Sequence, residues 1–397
     1  MREIPEGWRK LRLGDAITVK HGYAFPGSGF SDSPSNPTLL TPGNFSIGGG
    51  FKESKPKTFD GEFPAEYRLD AGDVVVTMTD LSKEGDTLGS LAVVPGDRTY
   101  LHNQRIGLLR VTDRTLINLD YLNYALRSPE YRAYVVGTAS GTTVRHTSPT
   151  KICDFVLLTP QLGAQRAIAE VLAALDDKIA ANRKLAATAD NLSEALFRRM
   201  CDDSVTMPLS STARFVNGKA FTKGASGTGR VVVRIAELNS GIGGSTVFSD
   251  IDVEDQHIAH PGDILFAWSG SLTLHRWFRD EAIVNQHIFK VIPNDGYPDW
   301  LVYRLIRQKL PYYQDVAADK ATTMGHIQRK HLDEPVSVPS HAQVAKNAEV
   351  MRALWDQTLI AQQESEKLGV LRDTLLPRLM SGELRVRDAE KSVEAVL

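Results

Sequence analysis

The sequence predicts an α+β protein: two homologous α/β domains separated by two long antiparallel helices that form a coiled-coil spacer. Two observations carry that class. First, the chain repeats itself, since "VKHGYAF" (19–25) and "FVNGKAF" (215–221) share Gly-x-Ala-Phe 196 residues apart in a chain of 397. Second, each copy ends in a long stretch of helical periodicity, Gln165–Met200 in one and about His341–Leu376 in the other. A tandem repeat of this kind has pseudo-two-fold character.

The repeat continues along the chain. Leu13 answers Leu209 at the same spacing, and "NFSIGGG" (44–50) answers "LNSGIGG" (238–244) at 195. "GDVVVTM" (72–78) answers "GDILFAW" (262–268) at 190, and "HNQRIGLLRV" (102–111) answers "VNQHIFKVI" (284–292) at 182. "TTVRH" (142–146) answers "TTMGH" (322–326) at 180, and "AEVLAALDD" (169–177) answers "AEVMRALWD" (348–356) at 179. The spacing falls steadily, as expected if the first copy has longer loops.

Each copy opens with a strand-rich part. "GDVVVTM" and "GDILFAW" are short apolar runs behind a Gly-Asp turn, the pattern of a buried strand. "IGLLRV", "HIFKVI" and "RVVVRI" (230–235) read the same way. "LDYLNYALRSPEYRAYV" (119–135) and "DWLVYRLIRQKLPYY" (299–313) have apolar residues at three and four spacings and read as helices. Extended runs, "DFVLLTP" and "EPVSVP", close each part. Then come the long helices, with Ile168, Leu172, Leu175 and Ile179 on one face of the first. Val344, Met351, Leu354, Leu368, Leu371 and Leu375 line the second, which Pro377 and "SGEL" close. About 36 residues at 1.5 Å each give a rod of roughly 54 Å. Its narrow apolar stripe needs a partner, and the two rods supply one for each other. The expected boundaries are 1–160 for the first globular domain, 161–205 for the first helix, 206–339 for the second domain, 340–385 for the second helix and 386–397 for a tail.

Bulk properties exclude several classes. The mean hydropathy is −0.22, and no apolar run approaches the roughly 18 residues of a membrane helix. "MREIPEGWRKLRLGD" has no apolar segment behind its charges, so it does not read as a signal peptide. Cys153 and Cys201 have no metal or redox spacing and read as reduced thiols, so a cytoplasmic location is expected. The net charge is −2, with 18 basic and 18 acidic side chains in residues 1–160 and 14 of each in 206–339. Any polyanion surface must therefore be local, or shared with a basic partner.

Catalytic motifs are missing. "GASGTGR" (224–230) has the glycines of a phosphate loop but Arg230-Val231 where Lys and Ser/Thr belong. "SNPTLL" (35–40) has an Asn-Pro without the aromatic of an amino-group methyltransferase. Neither HExxH nor GxSxG occurs, and His257, His260, His275 and His287 complete no metal-ligand spacing. The chain reads as non-catalytic, which leaves binding. Two related readers on a rigid spacer suit a duplex, whose successive major-groove faces lie about 34–36 Å apart. The rival readings are a coiled-coil adaptor whose globular domains bind proteins, and a fragment of an enzyme whose catalytic part lies on another chain.

Three stretches carry a family resemblance: "IPEGWRKLRLGD" (4–15), "TPQLGAQRAIAEVLAALDDKIAANRKL" (159–185) and "LLPRLMSGEL" (375–384). In these, and in the order of its parts, the chain resembles the specificity subunit of type I restriction–modification systems. It departs at the second helix entry, "HAQVAKNAEV", which lacks Glu-Gln-Arg. The resemblance implies two target recognition domains, each reading one half of a bipartite, asymmetric DNA site. It implies helices that set the number of unread base pairs and dock two modification subunits. Those partners would bind S-adenosylmethionine and methylate adenine, and motor-nuclease restriction subunits would join for cleavage. This chain itself would bind no cofactor or metal.

Base edges are read by Arg or Lys on guanine and by Asn or Gln on adenine, whereas phosphate contacts only position the protein. Candidates sit at equivalent places in both copies. Near Gly-x-Ala-Phe they are Lys20, His21 and Tyr23 against Asn217, Lys219 and Lys223. At the strand ends they are Thr77, Thr79 and Lys83 against Trp268, Ser269 and Arg276. At Asn-Gln they are Asn103, Gln104 and Arg105 against Asn285, Gln286 and His287. In the loop before the last strand they are Thr143, Arg145 and His146 against Thr323, His326, Arg329 and Lys330. Residues shared by both copies read as scaffold or phosphate contacts, because the two copies should read different bases. Positions that differ, such as Arg105 against His287, are the better readers. Phe25, Phe221, Trp268 and Trp277 read chiefly as packing.

Overall fold

The computed structural model describes residues 4–82, 85–318 and 325–396. It divides into two compact units, Met1–Asp177 with Gly369–Leu397, and Lys178–Leu368. Both mix helices and strands.

In the first unit, four antiparallel strands lie in the spatial order Ile17–His21, Ile106–Val111, Val74–Thr77, Leu91–Val93. In the second, Ala213–Asn217, Ile288–Pro293, Ile264–Ala267 and Thr273–Arg276 repeat that order. The Gly-Asp openings explain the start of the buried strand in each. Gly72 and Gly262 take φ of 87° and 104°, where a Cβ is disfavoured. The following aspartate then closes the turn, Asp73 accepting from Asp70 N at 3.0 Å and Asp263 from His260 N at 2.7 Å. A cation from the neighbouring strand neutralises each carboxylate: Arg110 lies 2.7 Å from Asp73, and Lys290 lies 2.9 Å from Asp263.

A second, mixed sheet backs the first in sequence logic as well. Its parallel pair is Thr38–Leu40 with Tyr100–His102 in one unit, and Arg230–Val233 with Ala282–Val284 in the other. The strands that open and close each copy zip together antiparallel, Arg9–Arg12 on Val156–Thr159 and Ser204–Pro208 on Pro335–Pro339. Around the second unit's antiparallel sheet, Phe266, Phe289, Trp300, Met351 and Trp355 form one apolar cluster. Each large side chain removed from water contributes about 1.5–3 kcal/mol.

The long helices are Leu162–Met200, of 39 residues, and His341–Met380, of 40. Within the first unit Arg372 meets Asp176 at 2.6 Å. Within the second, Asn182 donates to Glu364 at 2.9 Å, and Ser193 contacts Met351 at 3.8 Å. In the second unit the first partner's number rises as the second's falls, so the segments there run antiparallel. Gln165 anchors the first helix: its amide donates to Leu116 O and Pro160 O and accepts from Asn118 N.

Three elements differ from the sequence expectation. The run 119–135 is two helices, Leu119–Ala125 and Pro129–Gly137, because Ser128 caps a new N-terminus and Pro129 fits its first position. Residues 230–235 are a strand only to Val233, after which Arg234 and Glu237 start the helix Ile235–Ser240. Pro377 lies inside the last turn of its helix rather than ending it. A proline there forgoes one hydrogen bond, and the helix stops three residues later. Among the described residues, no helix is long and apolar enough to cross a membrane, and no group of His, Cys, Asp and Glu could hold a metal ion. Both cysteines are free thiols whose pKa is raised by burial.

Candidate nucleic-acid interface

The four motif pairs found by sequence repetition meet at one end of the antiparallel sheet in each unit. The glycine of Gly-x-Ala-Phe is what allows the first meeting. A Cβ on Gly22 would stand 2.0 Å from the carbonyl oxygen of Asn103, and one on Gly218 would stand 2.1 Å from that of Asn285. Only bare backbone fits. The chain then pairs with the Asn-Gln loop, Gln104 N donating to Tyr23 O and Gln286 N to Lys219 O, both at 2.8 Å.

The end of the buried strand joins the same loop. Met78 N donates to Arg105 O at 2.8 Å, and Trp268 N donates to His287 O at 3.0 Å. The fourth segment docks on that strand end, through Thr147 N to Met78 O and Ile327 N to Trp268 O, both at 3.0 Å. The two units therefore share one backbone hydrogen-bond scheme beneath different side chains.

Exposed side chains on this frame are His21, Gln104, Arg105, Thr143 and His146 in the first unit, with Tyr23, Asn103 and Arg145 half-buried. Thr143 is in the loop closed by the Ser140–His146 backbone pair. In the second unit Asn217, Lys219, Lys223, Gln286, His326, Arg329 and Lys330 are exposed, and Trp268 and His287 are half-buried. Arg214, Asn217, Arg329 and Lys330 line an open concavity of ≈ 740 Å³ beside Ala213–Asn217. Lys83 and Thr323 lie outside the described residues.

Five candidates are buried, which corrects their choice as DNA contacts. Thr77 donates to Thr79 O at 3.0 Å, and the Thr79 hydroxyl meets His146 Nδ1 at 3.1 Å, so both brace a loop from within. Ser269 is buried where its backbone bridges His326. Asn285 is buried and accepts from Phe221 N at 3.1 Å. Arg276 is buried on a strand and donates to Trp355 O and Gln362. Lys20 is committed to Glu66 at 2.6 Å and lies over the Tyr67 ring.

The shared asparagines each accept a backbone N–H. Asn103 accepts from Arg105 N at 3.1 Å, as Asn285 does from Phe221. Aromatic packing fixes the rest: Tyr23 lies 5.0 Å from Phe25 and 5.2 Å from Tyr67, and Phe25 lies 4.9 Å from Phe59. Trp268 stacks near Phe289 while its indole donates to Asn217 at 2.7 Å. His287 takes φ of 74°, and among the described residues it is the non-glycine residue with positive φ. Its ring lies 5.2 Å from that of Trp268. Strain of this kind costs on the order of 1–3 kcal/mol and persists where surrounding contacts impose it.

Two titratable groups tighten the first unit's frame. Burial draws His102 down to about 4, and the neutral ring meets Ile106 O at 2.8 Å directly beneath the Asn-Gln loop. Asp80 is buried, which alone would raise its pKa, yet bonds from Ser82 and Thr87 outweigh burial and hold the carboxyl below its usual range. Asp80 and Arg132, which donates to Gly85 O and Leu88 O, fix the strand-end loop. Neither was singled out from the sequence. "TDLS" (79–82) does carry the signal, a carboxylate two residues before a serine, the local turn that Asp favours. Leu81 in that loop is 66% exposed and was also passed over.

Comparison with known proteins gives similarities in sequence over the first half and in fold over most of the chain. Residues 5–189 match the family described as type I restriction modification DNA specificity domain. The resemblance read from the sequence is thereby borne out. Over 169 residues the chain is 26% identical to the type I restriction enzyme EcoBI specificity subunit of Escherichia coli, covering 43% of this chain and 32% of that protein. The match thus spans about a third of that relative. In fold, the chain is similar to the S subunit of a type I restriction–modification system from M. genitalium, with a TM-score of 0.61 at 14% identity, covering 95% of this chain and 98% of that one. The matched segment holds the first copy of all four motif segments and the opening of the first long helix.

Proposed function

We propose that this chain is the DNA-recognition subunit of a type I restriction–modification complex. Each copy, 1–160 and 206–339, acts as a target recognition domain and reads one half of a bipartite, asymmetric duplex site. The helical segments 161–205 and 340–385 act as a coiled-coil spacer that sets the unread gap and docks two modification subunits. Those subunits bring S-adenosylmethionine and transfer methyl to adenine, and restriction subunits join the complex for cleavage. The chain contributes recognition and no chemical step.

One observation carries this reading. Both copies hold four loop segments by the same backbone bonds, yet present different side chains at equivalent points: Arg105 against His287, His21 against Asn217, Tyr23 against Lys219. A common frame with altered contacts is what reading two unlike half-sites requires. Arg105, His21, Tyr23 and Arg145 are the proposed readers in the first copy. Asn217, Lys219 and His287 are those in the second, with the shared Gln104, Gln286, His146 and His326, and with Lys223, Arg329 and Lys330, on phosphates.

Co-expression with the cognate modification subunits, followed by methylation-sensitive genome sequencing, tests it. The expected result is one methylated motif of two fixed half-sites around a constant gap. A chain that captures protein partners and yields no methylated motif would leave the adaptor reading in its place.

A further inference from the structure

The second unit contains a cavity that DNA reading does not use. It holds ≈ 510 Å³ and is walled by Asn182–Ser193 of the first long helix, by Leu274–Arg279, by the helix Asp299–Ala318, and by Leu354–Glu366 of the second long helix. Volumes of this size suit small-molecule ligands.

Its charge is unbalanced. Five arginines line it: Arg183, Arg276, Arg279, Arg304 and Arg307. Three carboxylates answer them. Arg279 forks Glu366 at 2.9 and 3.2 Å, Arg304 and Arg307 share Asp190 at 2.5 and 3.3 Å, and both lie 4.0 Å from Glu194. Arg183 is exposed to solvent, so Arg276 is the buried arginine left without a carboxylate at ion-pair distance.

Arg276 is 8% exposed, and its guanidinium reaches only neutral acceptors, Trp355 O at 2.5 Å and Gln362 Oε1 at 3.3 Å. Its Nε and the Nη1 of Arg304 have no hydrogen-bond partner. Among the described residues, no carboxylate lies within ion-pair distance of Arg276. Burial draws its pKa down to about 10. Asp299, Asp190 and Asp356 attract it from beyond that distance without offsetting its burial, and an anion in direct contact would relieve it.

Aromatic faces complete the lining. The Arg276 guanidinium lies 4.1 Å from the Trp355 ring centroid, Tyr303 packs on Trp355 at 5.2 Å, and Phe278 adds a third ring. The first unit offers an internal contrast. Asp176 occupies the position equivalent to Trp355, and there it holds Arg372 at 2.6 Å and Arg127 at 3.5 Å. That copy neutralises its arginines itself, whereas the second exchanges the carboxylate for an indole.

We infer that this cavity binds a small phosphate monoester carrying a planar ring, of mononucleotide size. A phosphate monoester brings about −1.5 to −2 charges, which would answer Arg276 and the unpartnered Nη1 of Arg304, and arginine forks suit its oxygens. The inference does not depend on the DNA-reading role, and either can fail alone.

Titration calorimetry on the full-length protein tests it, with AMP, inorganic phosphate and adenosine as probes. AMP should bind saturably, phosphate more weakly, and adenosine at least tenfold more weakly than AMP. Arg276→Met, which keeps the stack on Trp355, should lower AMP affinity at least tenfold. Unliganded Arg276→Met should melt no lower than the native protein, because the uncompensated charge is gone. No saturable heat from AMP or phosphate up to about 10 mM, or equal affinity in the variant, would overturn the inference. So would displacement of AMP by a random-sequence duplex, which would assign the arginines to the DNA backbone.

Discussion

Replacing Gly22 with alanine should damage one half of the recognition site and spare the other. The added Cβ would stand 2.0 Å from Asn103 O, where ordinary contact needs about 3.4 Å, so the two segments must separate by more than 1 Å. That opening breaks the bonds Tyr23 N to His102 O and Gln104 N to Tyr23 O. Overpacking costs about 1–3 kcal/mol and each lost bond about 0.5–1.5, giving roughly 2–6 kcal/mol. For a domain of roughly 150–250 residues, with about 2–4 °C per kcal/mol, the melting temperature should fall by roughly 5–20 °C. Gly218→Ala meets Asn285 O at 2.1 Å and should act alike on the other copy. The functional assay is methylome sequencing at a temperature where both variants remain folded. Gly22→Ala should blur bases in one half-site only, and Gly218→Ala in the other only. If both variants melt with the native protein, the close approach is not structural. If either variant blurs both half-sites, the division of reading between the copies is wrong.

Arg105→Ala and His287→Ala should each relax one half-site with little loss of stability, which the same sequencing and a thermal melt would read. His287→Gly, relieved of its left-handed strain at φ 74°, should melt no lower than His287→Ala yet lose the same specificity. His102, held neutral with a pKa drawn to about 4, contributes stability that is complete above its ordinary value near 6.5 and lost as pH falls toward 4. The loss should total about 3 kcal/mol, and His102→Gln should flatten that part of a melting-temperature profile against pH. Removing one facing heptad from each long helix, 179–185 and 361–367, should shorten the spacer by about 10 Å, or about three base pairs. The methylated gap should shrink and the half-sites should stay. Altered half-sites around an unchanged gap would refute the spacer role.

Much of this architecture was legible because period and punctuation are local properties. Gly72-Asp73 and Gly262-Asp263 start buried strands through bonds made within four residues, so the sequence alone announces them. The meeting of Gly-x-Ala-Phe with Asn-Gln was legible only as two repeated strings. Nothing within either string says that Gly22 lies against Asn103, because that contact joins residues about eighty apart. Exposure was the least legible property. Thr77 and Thr79 are polar residues at a strand end, which reads as accessible, yet both are buried, Thr77 donating to Thr79 O and Thr79 meeting His146. Ser128-Pro129 was overlooked as a helix boundary because apolar residues continue across it at helical spacing.

Repetition and recognition impose opposite demands on the same few positions, and the structure meets them with different parts of the chain. The frame must be identical in both copies if one protein is to hold two readers alike, so it is built from backbone bonds and from the close-packed Gly22 and Gly218. The contacts must differ, so variation falls on side chains that the frame holds out, and Arg105 can become His287 without moving a single shared bond. His287 shows how far this separation extends. Its backbone is strained, but its carbonyl still accepts from Trp268 N as that of Arg105 accepts from Met78 N. The cost of changing a reader is thus confined to that residue, which lets specificity change in one copy while the fold and the other copy stay as they are.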